Sequence, residues 1–577
     1  MSDEPSKDSP ESPSEVGGTG SDTGSDSDSG RGPTDDAGDD DGDSIDETNG
    51  SDAADDASER ATDGSAADDG PDTPSEDRVS EESITKGSLI RPLFHLAWPI
   101  VVIQLLQVTY NVVDTLYLGR LSAEAVGAIS LAFPLIFLLI AVAGGFTTAG
   151  AILVAQYTGA DGDGSAGLVA GQTIFTVSVL SVLIGAGGYF YTRPALEILP
   201  SDPDTATTVI PFAADYMEVI FAGIPLMFGF FVFSALMRGY GDTRTPMAVM
   251  LVSVVLNVLL DPFLIFGFST NPLFEWLAAV PLVAALDPVG VQESLFAATG
   301  FTGYGIEGAA LATIFSRGVA TAIGIWLLFA TDLGPAVSVS HLRPDLGFIE
   351  DIFRLGLPSS VEQTTSALAM ITLTAMVVTF SPPVVAAYGL GNRLISLVFL
   401  PAMGLGRAID TMVGQNLGAN RADRAARSVK LAASTGAGVM FLVAVVAVTF
   451  TEPTVGAFLG DVPDGPATVA YAVEYVQIRS VEFAFIGVSQ VILGAFRGAG
   501  NTKTAMVISI LTLWVGRVAS VAYLVFVAGW GEAGIWVGMA LGNVLGALVG
   551  VAWFARGTWT ERYIDDPAPS ADPASDD

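Results

Sequence analysis

The sequence predicts an all-α integral membrane protein with twelve transmembrane helices in two six-helix lobes, which an internal repeat relates to each other. Composition is the first reason: half of the 577 residues are hydrophobic and only 15% are charged, whereas charged residues make up about a quarter of a soluble domain. From Leu93 onward, apolar runs of about 20 residues, the length that crosses a bilayer, alternate with short breaks rich in glycine, proline and aspartate. The third reason is that the two halves of this apolar body match each other.

An acidic, polar segment precedes the apolar body. Residues 1–82 hold 28 of the 62 acidic residues and 4 of the 25 basic ones. A segment with so few large apolar side chains cannot bury enough surface to offset the entropy of ordering. We therefore expect residues 1–88 to form a disordered cytoplasmic tail, and its acidity favours a salt-rich, halophilic host. No basic region precedes the first apolar run, so we expect no cleavable signal peptide.

The apolar runs set the spans and their orientation. The predicted spans lie near residues 93–119, 126–152, 169–191, 211–237, 246–268, 306–330, 352–380, 388–412, 429–450, 470–495, 505–528 and 532–556. Basic residues concentrate in the loops after spans 4, 6, 8 and 10, while the opposite loops hold only Arg120 and Arg193. By the positive-inside rule, both termini are expected in the cytoplasm, with the chain in the plasma membrane.

The two halves of the body superpose at a single offset of 259 residues. The matched stretches are Pro99 with Pro358, Val154–Ala160 with Val413–Ala419, and Arg238–Met247 with Arg497–Met506. After span 5 the offset falls to 226, so the first half carries about 33 extra residues around 270–302. We expect a first lobe over 89–335, a second lobe over 336–556 and a short acidic tail over 557–577. Two halves with the same orientation are typical of secondary transporters that handle substrate between them.

Several kinds of chemistry are excluded. The chain has no cysteine and only two histidines, and no lysine follows a glycine as a phosphate-binding loop requires. An acidic chain with few bases is also a poor nucleic-acid ligand. Gly239–Asp242 reads GxGD, a motif of intramembrane aspartyl proteases, but no Tyr-Asp partner exists and the repeat copy ends in Asn501. We predict that the protein is not an enzyme, that it has no cofactor, and that Asp242 caps a turn.

The repeat distinguishes polar residues that serve the fold from those that need another explanation. Gln104 and Gln156 recur as Gln363 and Gln415, and we interpret these pairs as structural. Four polar residues of the first lobe are replaced in the second lobe by apolar residues or, in one case, by a serine. They are Asp114 opposite Leu373, Asn257 opposite Gly516, Asp261 opposite Ser520, and Thr313 opposite Met539.

These single-copy residues are predicted to meet in the outer half of the first lobe. Asn257 and Asp261 share one helix face, and their depth in span 5 matches that of Asp114, Thr313 and Tyr216 in spans 1, 6 and 4. An ionised aspartate at bilayer depth costs about 2.5–3.5 kcal/mol and needs compensation. Carboxylate, amide and hydroxyl oxygens suit a hard cation or a shared proton. We predict an ion-coupling site here; the alternative is a polar cluster that only ties helices together.

The second lobe has single-copy charges of its own. Glu362, Arg479 and Glu482 lie opposite Ile103, Ile220 and Gly223. A buried set of two glutamates and an arginine would either stabilise the lobe or belong to the coupling path.

Residues 90–556 resemble the multidrug and toxic compound extrusion (MATE) family, and most closely its archaeal and DinF-like branch. The stretches that carry the resemblance are Pro99–Gly119, Val154–Ala160, Arg238–Met247, Asn257–Pro262 and Gly308–Thr313. The resemblance implies that Asp114, Asn257 and Asp261 bind the coupling ion. Tyr216 and Thr313 would lie nearby, with Thr313 as a further ligand if the ion is Na⁺, and the Ala309 carbonyl could join them. Another branch uses a glutamate in span 7, which Glu362 matches, and an aspartate in span 10, which is missing here.

The resemblance also implies a function. A member of this family would be a monomeric antiporter in the lipid bilayer, coupled to Na⁺ or H⁺, that exports amphipathic, cationic organic compounds by alternating access between the lobes. The oxygen-rich ligands favour sodium over protons. The alternative is a flippase for lipid-linked oligosaccharides or polysaccharides, a related fold whose cleft would be more uniformly basic.

Overall fold

A computed structural model describes residues 84–198, 203–459 and 465–564, and this part of the chain contains helices and no β-strand. Ten of its helices are long and apolar enough to cross a membrane, and a bent pair provides an eleventh span. The remaining predicted span, the seventh at 352–380, coincides with a helix of 32 residues, Leu346–Val377. It contains four charged residues, three of which lie in its first three turns.

The first lobe contains six long helices and three short ones. They are α1 (Ile90–Leu121), α2 (Ala123–Gly159), α3 (Asp163–Glu197), α4 (Pro203–Tyr240), α5 (Arg244–Phe266), α6 (Pro272–Ala278), α7 (Pro281–Ala284), α8 (Pro288–Thr299) and α9 (Ile306–Ala330). The short helices α6–α8 occupy the extra segment around 270–302 that the change of repeat offset predicts. Each of them begins with a proline, which suits the first position of a helix because its missing N–H would have no helical partner there.

The second lobe repeats this order without the insertion. It contains α10 (Leu346–Val377), α11 (Pro382–Gly418), α12 (Ala422–Thr449), α13 (Thr451–Leu459), α14 (Gly465–Ser480), α15 (Phe483–Gly498), α16 (Thr502–Val527) and α17 (Gly531–Phe554). The continuous span predicted for 470–495 is wrong in one respect. It is split into α14 and α15, which meet at 51°, because the backbone tightens at Val481 and Glu482, whose N–H groups bond to carbonyls three residues earlier.

The lobes contact each other reciprocally on the membrane side where the basic loops lie, named here the basic side. Gln156 Nε2 in the first lobe donates to the Gly498 carbonyl in the second at 2.9 Å. Gln415 Nε2 in the second lobe donates to the Gly239 carbonyl in the first at 3.0 Å. Each bond joins a duplicated glutamine to the duplicated Arg-Gly turn of the other lobe. The interpretation of this glutamine pair as structural is confirmed.

Both ends of the described chain cross to the opposite lobe. The guanidinium of Arg424 on α12 donates to the carbonyls of Ile84, Lys86 and Gly87 at 2.7–3.1 Å. At the other end, the Tyr563 backbone N–H donates to Gln156 Oε1 at 2.9 Å. Parts of the predicted tails 1–88 and 557–577 are therefore fixed to the lobes. Residues 84–88 and 557–564 are bound there because they make backbone hydrogen bonds and apolar contacts. The remaining tail residues lie outside the described ranges.

Close backbone packing at the basic side gives a first prediction. A Cβ atom on Gly418 would lie 2.0 Å from the Gln156 carbonyl oxygen, whereas one on Gly438 would meet nothing within 4 Å. Gly418 is the last residue of α11 and Gly438 lies in the interior of α12, so alanine gains about 1 kcal/mol of helix propensity at Gly438 and less at Gly418. We expect Gly418→Ala to lower the melting temperature in detergent through overpacking of about 1–3 kcal/mol or more. Gly438→Ala is the control, and equal melting temperatures for the two variants would contradict the tight contact.

Candidate ion-coupling site and central cavity

The carboxyl groups of Asp114 and Asp261 meet inside the first lobe. Asp114 lies on α1 and Asp261 on α5, and their side chains are within hydrogen-bonding contact of each other. Asn257, one turn before Asp261, donates its Nδ2 to Asp261 Oδ1 at 3.2 Å. All three residues are buried: Asp114 is 5% exposed, Asn257 1% and Asp261 0%. The structure thus brings together the acids that the repeat singled out, while their role as ion ligands stays a prediction.

Tyr216 and Thr313 complete the walls of this pocket. The Thr313 hydroxyl on α9 lies 2.9 Å from the hydroxyl of Tyr110 on α1. Tyr216 on α4 is buried within electrostatic range of both Asp114 and Asp261. Ala309 is fully buried one turn before Thr313 on α9, so four helices contribute to the cluster.

Sequence reasoning missed an arginine in the same cluster. Arg317, one turn after Thr313 on α9, is 3% exposed and lies within electrostatic range of Asp114. Its guanidinium donates to Gln107 Oε1 at 2.6 Å and stacks 5.5 Å from the centre of the Tyr110 ring. Arg317 lies opposite Asn543 in the repeat, so the comparison that singled out Thr313 contains the signal for it.

The cluster has spare oxygen atoms and a spare negative charge. Asp114 Oδ1, Asn257 Oδ1 and Asp261 Oδ2 are buried and have no hydrogen-bond partner among the described residues. A buried polar atom without a partner costs about 1–3 kcal/mol. Two ionised carboxyl groups against one guanidinium leave a net charge of about −1, by the usual ionisation of these groups. One monovalent cation, Na⁺ on the free oxygens or H⁺ between the two carboxyls, would remove both deficits.

The single-copy charged residues of the second lobe belong to two separate ion pairs. Glu362 Oε1 accepts from Arg497 Nη1 at 2.9 Å, whereas Glu482 Oε1 pairs with Arg479 Nε at 2.5 Å. Arg497 and Glu482 lie at opposite ends of α15, about 22 Å apart at 1.5 Å per residue. Glu362 thus lies at a different depth of the lobe from Arg479 and Glu482, and whether either pair stabilises the lobe or takes part in coupling stays a prediction.

The turn that reads GxGD is a cap. Asp242 Oδ1 accepts hydrogen bonds from the backbone N–H groups of Arg244 and Thr245 at 2.8 and 3.1 Å. Its carboxylate thus caps the first backbone N–H groups of α5. The prediction that Asp242 caps a turn is confirmed.

A cavity of about 270 Å³ lies between the lobes near the basic side. The first lobe lines it with α1, α2, α4 and α5, and the second lobe adds Gln363, Met403 and Arg407. Arg238 and Arg407 are the charged side chains on its wall, and none of the described residues that line it is acidic. Gln107, which accepts from Arg317, is also part of the wall, so the cavity is linked to the carboxyl pair through Arg317, which lies within electrostatic range of Asp114.

Two six-helix lobes around a cavity, with buried charges inside bilayer-length helices, define a membrane transporter. A family model described as MatE matches residues 99–263 and again residues 358–523. The two matches span more than half of the chain and begin at the prolines that the internal repeat superposes. The chain therefore belongs to the MatE family of multidrug and toxic compound extrusion transporters, and the expectation that it is not an enzyme is confirmed.

Known relatives align over most of their length. The probable multidrug resistance protein YpnP of Bacillus subtilis is 26% identical, covering 82% of this chain and 97% of that protein. The probable multidrug resistance protein NorM of Thermotoga maritima is 24% identical, covering 82% and 94%. A crystal structure of MATE in complex with MaL6 shares the fold, with a TM-score of 0.72 and 20% identity over 83% of this chain and 98% of that one.

The charge balance of the cluster gives a second prediction. Arg317→Gln leaves Asp114 and Asp261 without their guanidinium and should destabilise the protein by about 3–5 kcal/mol, the usual cost of removing one partner from a buried ion pair. Adding Asp114→Asn restores the net charge and should recover much of the lost melting temperature.

The exposed pair between Arg354 and Glu350 provides the control. Arg354→Gln breaks an ion pair of 3.0 Å whose arginine is 56% exposed, so its effect should stay within about 0.5 kcal/mol. Additive losses in the double variant of the cluster would mean that Arg317 does not compensate the carboxyl pair.

Proposed function

We propose that the protein is a cation-coupled secondary antiporter that exports amphipathic organic compounds across the plasma membrane, with its basic side and both termini in the cytoplasm. The observation that carries the proposal is the cluster of three unpartnered buried oxygens on Asp114, Asn257 and Asp261. The second lobe has hydrophobic or small residues at two of these positions and a serine at the third. A pocket that is present in one copy and carries one excess negative charge is suited to hold a moving cation rather than to support a duplicated scaffold.

The site would drive transport by biasing the arrangement of the lobes. A ligand shifts a conformational equilibrium only by its differential affinity for the two states. Cation binding neutralises the carboxyl pair between α1 and α5, and the bound cation changes the attraction between Asp114 and Arg317. Because Arg317 also holds Gln107 on the cavity wall, the charge state of the site acts on the side chains that face the exported compound.

Relatives support drug export as the task of the transporter. Those of Bacillus subtilis and Thermotoga maritima bear the name probable multidrug resistance protein. One observation keeps a flippase for lipid-linked sugars as a second candidate, namely the two arginines on a cavity wall without acids. Transport of a fluorescent drug and of a labelled polyprenyl-linked sugar by the same vesicles separates the two.

Coupling is tested with the protein in proteoliposomes, where Na⁺ and pH gradients are imposed one at a time. Asp114→Asn and Asp261→Asn should each reduce gradient-driven efflux at least tenfold, because the cation loses a carboxylate ligand. Glu350→Gln, which removes an exposed carboxylate from α10, should transport at the wild-type rate. Undiminished coupled export by both aspartate variants would refute the assignment.

The identity of the cation is tested by stability. A bound ion stabilises the folded state by RT ln(1 + [L]/Kd), about 2.7 kcal/mol at a hundredfold excess over Kd. If Na⁺ is the ion, NaCl should raise the melting temperature relative to KCl at equal ionic strength, and Asp261→Asn should abolish the difference. A wild-type protein that melts at the same temperature in both salts would point to protons instead.

A further inference from the structure

A buried ion-pair network lies inside the second lobe, near the basic side. Arg497 Nη1 donates to Glu362 Oε1 at 2.9 Å, and its Nε lies 3.4 Å from Asp410 Oδ1. Ser509 donates a further bond to Glu362 Oε1 at 3.1 Å. Arg497, Glu362 and Asp410 are all less than 10% exposed. One arginine of this lobe is thus held by two carboxylates away from water.

The first lobe keeps the arginine and lacks the carboxylates. Arg238 is the repeat equivalent of Arg497. The equivalents of Glu362, Asp410 and Ser509 are Ile103, Ala151 and Met250. Arg238, Ile103 and Met250 all line the central cavity. Where the second lobe has a filled ion-pair network, the first lobe therefore has open space around an arginine.

Arg407 brings a second positive charge to the same space. It lies on α11 of the second lobe, and its Nη1 is 3.4 Å from the Thr148 hydroxyl and 3.9 Å from Asp410 Oδ2. Asp410 is shared with Arg497, so it does not neutralise Arg407 alone. Three arginines and two carboxylates within mutual electrostatic range leave a net charge of about +1, by the usual ionisation of these groups. The two arginines that face the cavity carry this excess.

We infer that the central cavity binds the carboxylate or phosphate group of an amphipathic organic compound, with Arg238 as its main ligand and Arg407 as the second. The anionic group would take the place that Glu362 and Asp410 occupy beside Arg497. Gln104, Gln363 and Thr147 on the wall add uncharged hydrogen-bonding groups. The identification of this compound as the exported substrate rests on the proposed function, whereas its binding does not.

The apolar part of the wall fits the rest of such a compound. Ile100, Ile140, Phe230, Phe231 and Met403 line the cavity beside the two arginines. Its 270 Å³ lies near the lower end of the range of small-molecule pockets, about 300–1,000 Å³. The site would therefore hold a small compound or the anionic end of a larger one. This ligand class differs from the cationic compounds that the family resemblance implies.

The anion would also join the lobes. Arg238 belongs to α4 of the first lobe and Arg407 to α11 of the second, and both lie near the reciprocal glutamine contacts of the basic side. An anion between the two guanidinium groups reduces their repulsion only while the lobes are together there. It would therefore favour the arrangement that is closed on the basic side.

The experiment compares two forms of one dye on the purified full-length protein in nanodiscs. The probes are a rhodamine with a free carboxylate and the methyl ester of the same rhodamine, and binding is followed by fluorescence anisotropy without any ion gradient. The carboxylate form should bind at least tenfold more tightly. Arg238→Gln should abolish this preference without weakening the binding of the cationic ester, and Arg238→Lys should keep part of the preference.

A second variant tests the same site without removing an arginine. Ile103→Glu places a carboxylate at the position equivalent to Glu362, so it should occupy Arg238 and abolish the preference for the free acid. Arg354→Gln, on the surface of α10, is the matched control and should bind both probes like the wild type. Each variant is compared with the wild type by melting temperature and gel filtration.

Competition identifies the source of the anionic group. Displacement of the probe by a soluble aryl phosphate indicates a free solute, and displacement by a polyprenyl diphosphate alone indicates a lipid headgroup. Equal affinity of the wild type for acid and ester, an unchanged preference in Arg238→Gln, or displacement by neither competitor would overturn the inference. If Asp114→Asn loses coupled efflux but still binds the free acid, the result supports the coupling site and leaves the inference about the cavity unchanged.

Discussion

The contact between the carboxyl groups of Asp114 and Asp261 is the constraint on which the rest of the first lobe depends. Two carboxylates inside a bilayer are expensive unless other charges or ions compensate them. Arg317 supplies half of that compensation, and its own burial requires the Tyr110 ring and Gln107 around it. Helices α1, α5 and α9 must therefore stay together, and the remaining charge deficit makes their packing sensitive to whether a cation is present. The atoms that hold these helices together are thus the same ones that the proposed coupling would use.

The duplication provides one scaffold with two different interiors. Both lobes have the same helix order and meet through equivalent glutamines and Arg-Gly turns. In the second lobe, Arg479 is paired with Glu482, and Arg497 with Glu362 and Asp410. In the first lobe, Asp114 and Asp261 form a separate pocket, and Arg238, the equivalent of Arg497, faces the cavity. We infer that the second lobe mainly supplies rigidity and positive charge, while the first lobe contains the groups whose charge changes during transport.

Much of this was accessible from the sequence, because helices of bilayer length and an ungapped repeat leave strong patterns. The repeat predicted that Asp114 and Asp261 stand apart from the scaffold, and helix periodicity placed Asn257 beside Asp261. Arg317 was missed because the comparison was used to find oxygen ligands and not their counter-charge. The break between α14 and α15 falls at the polar stretch Arg479–Glu482, which the prediction treated as buried charge inside one continuous span. Glu362 and Arg479 could not be separated, because single-copy status says nothing about which helices face each other.

The two ends of the described chain fasten the molecule crosswise. The segment before α1 is bound by Arg424 of the second lobe, and the segment after α17 ends on Gln156, with Ile564 packed into the apolar core of the first lobe. If the lobes alternate as proposed, opening the basic side requires each of these two end segments to detach from the opposite lobe or to move with it. The ease of that motion is then set partly by short stretches of chain beyond the bilayer, so the resting preference of the transporter could change in evolution by altering its ends while the membrane-embedded machinery stays the same.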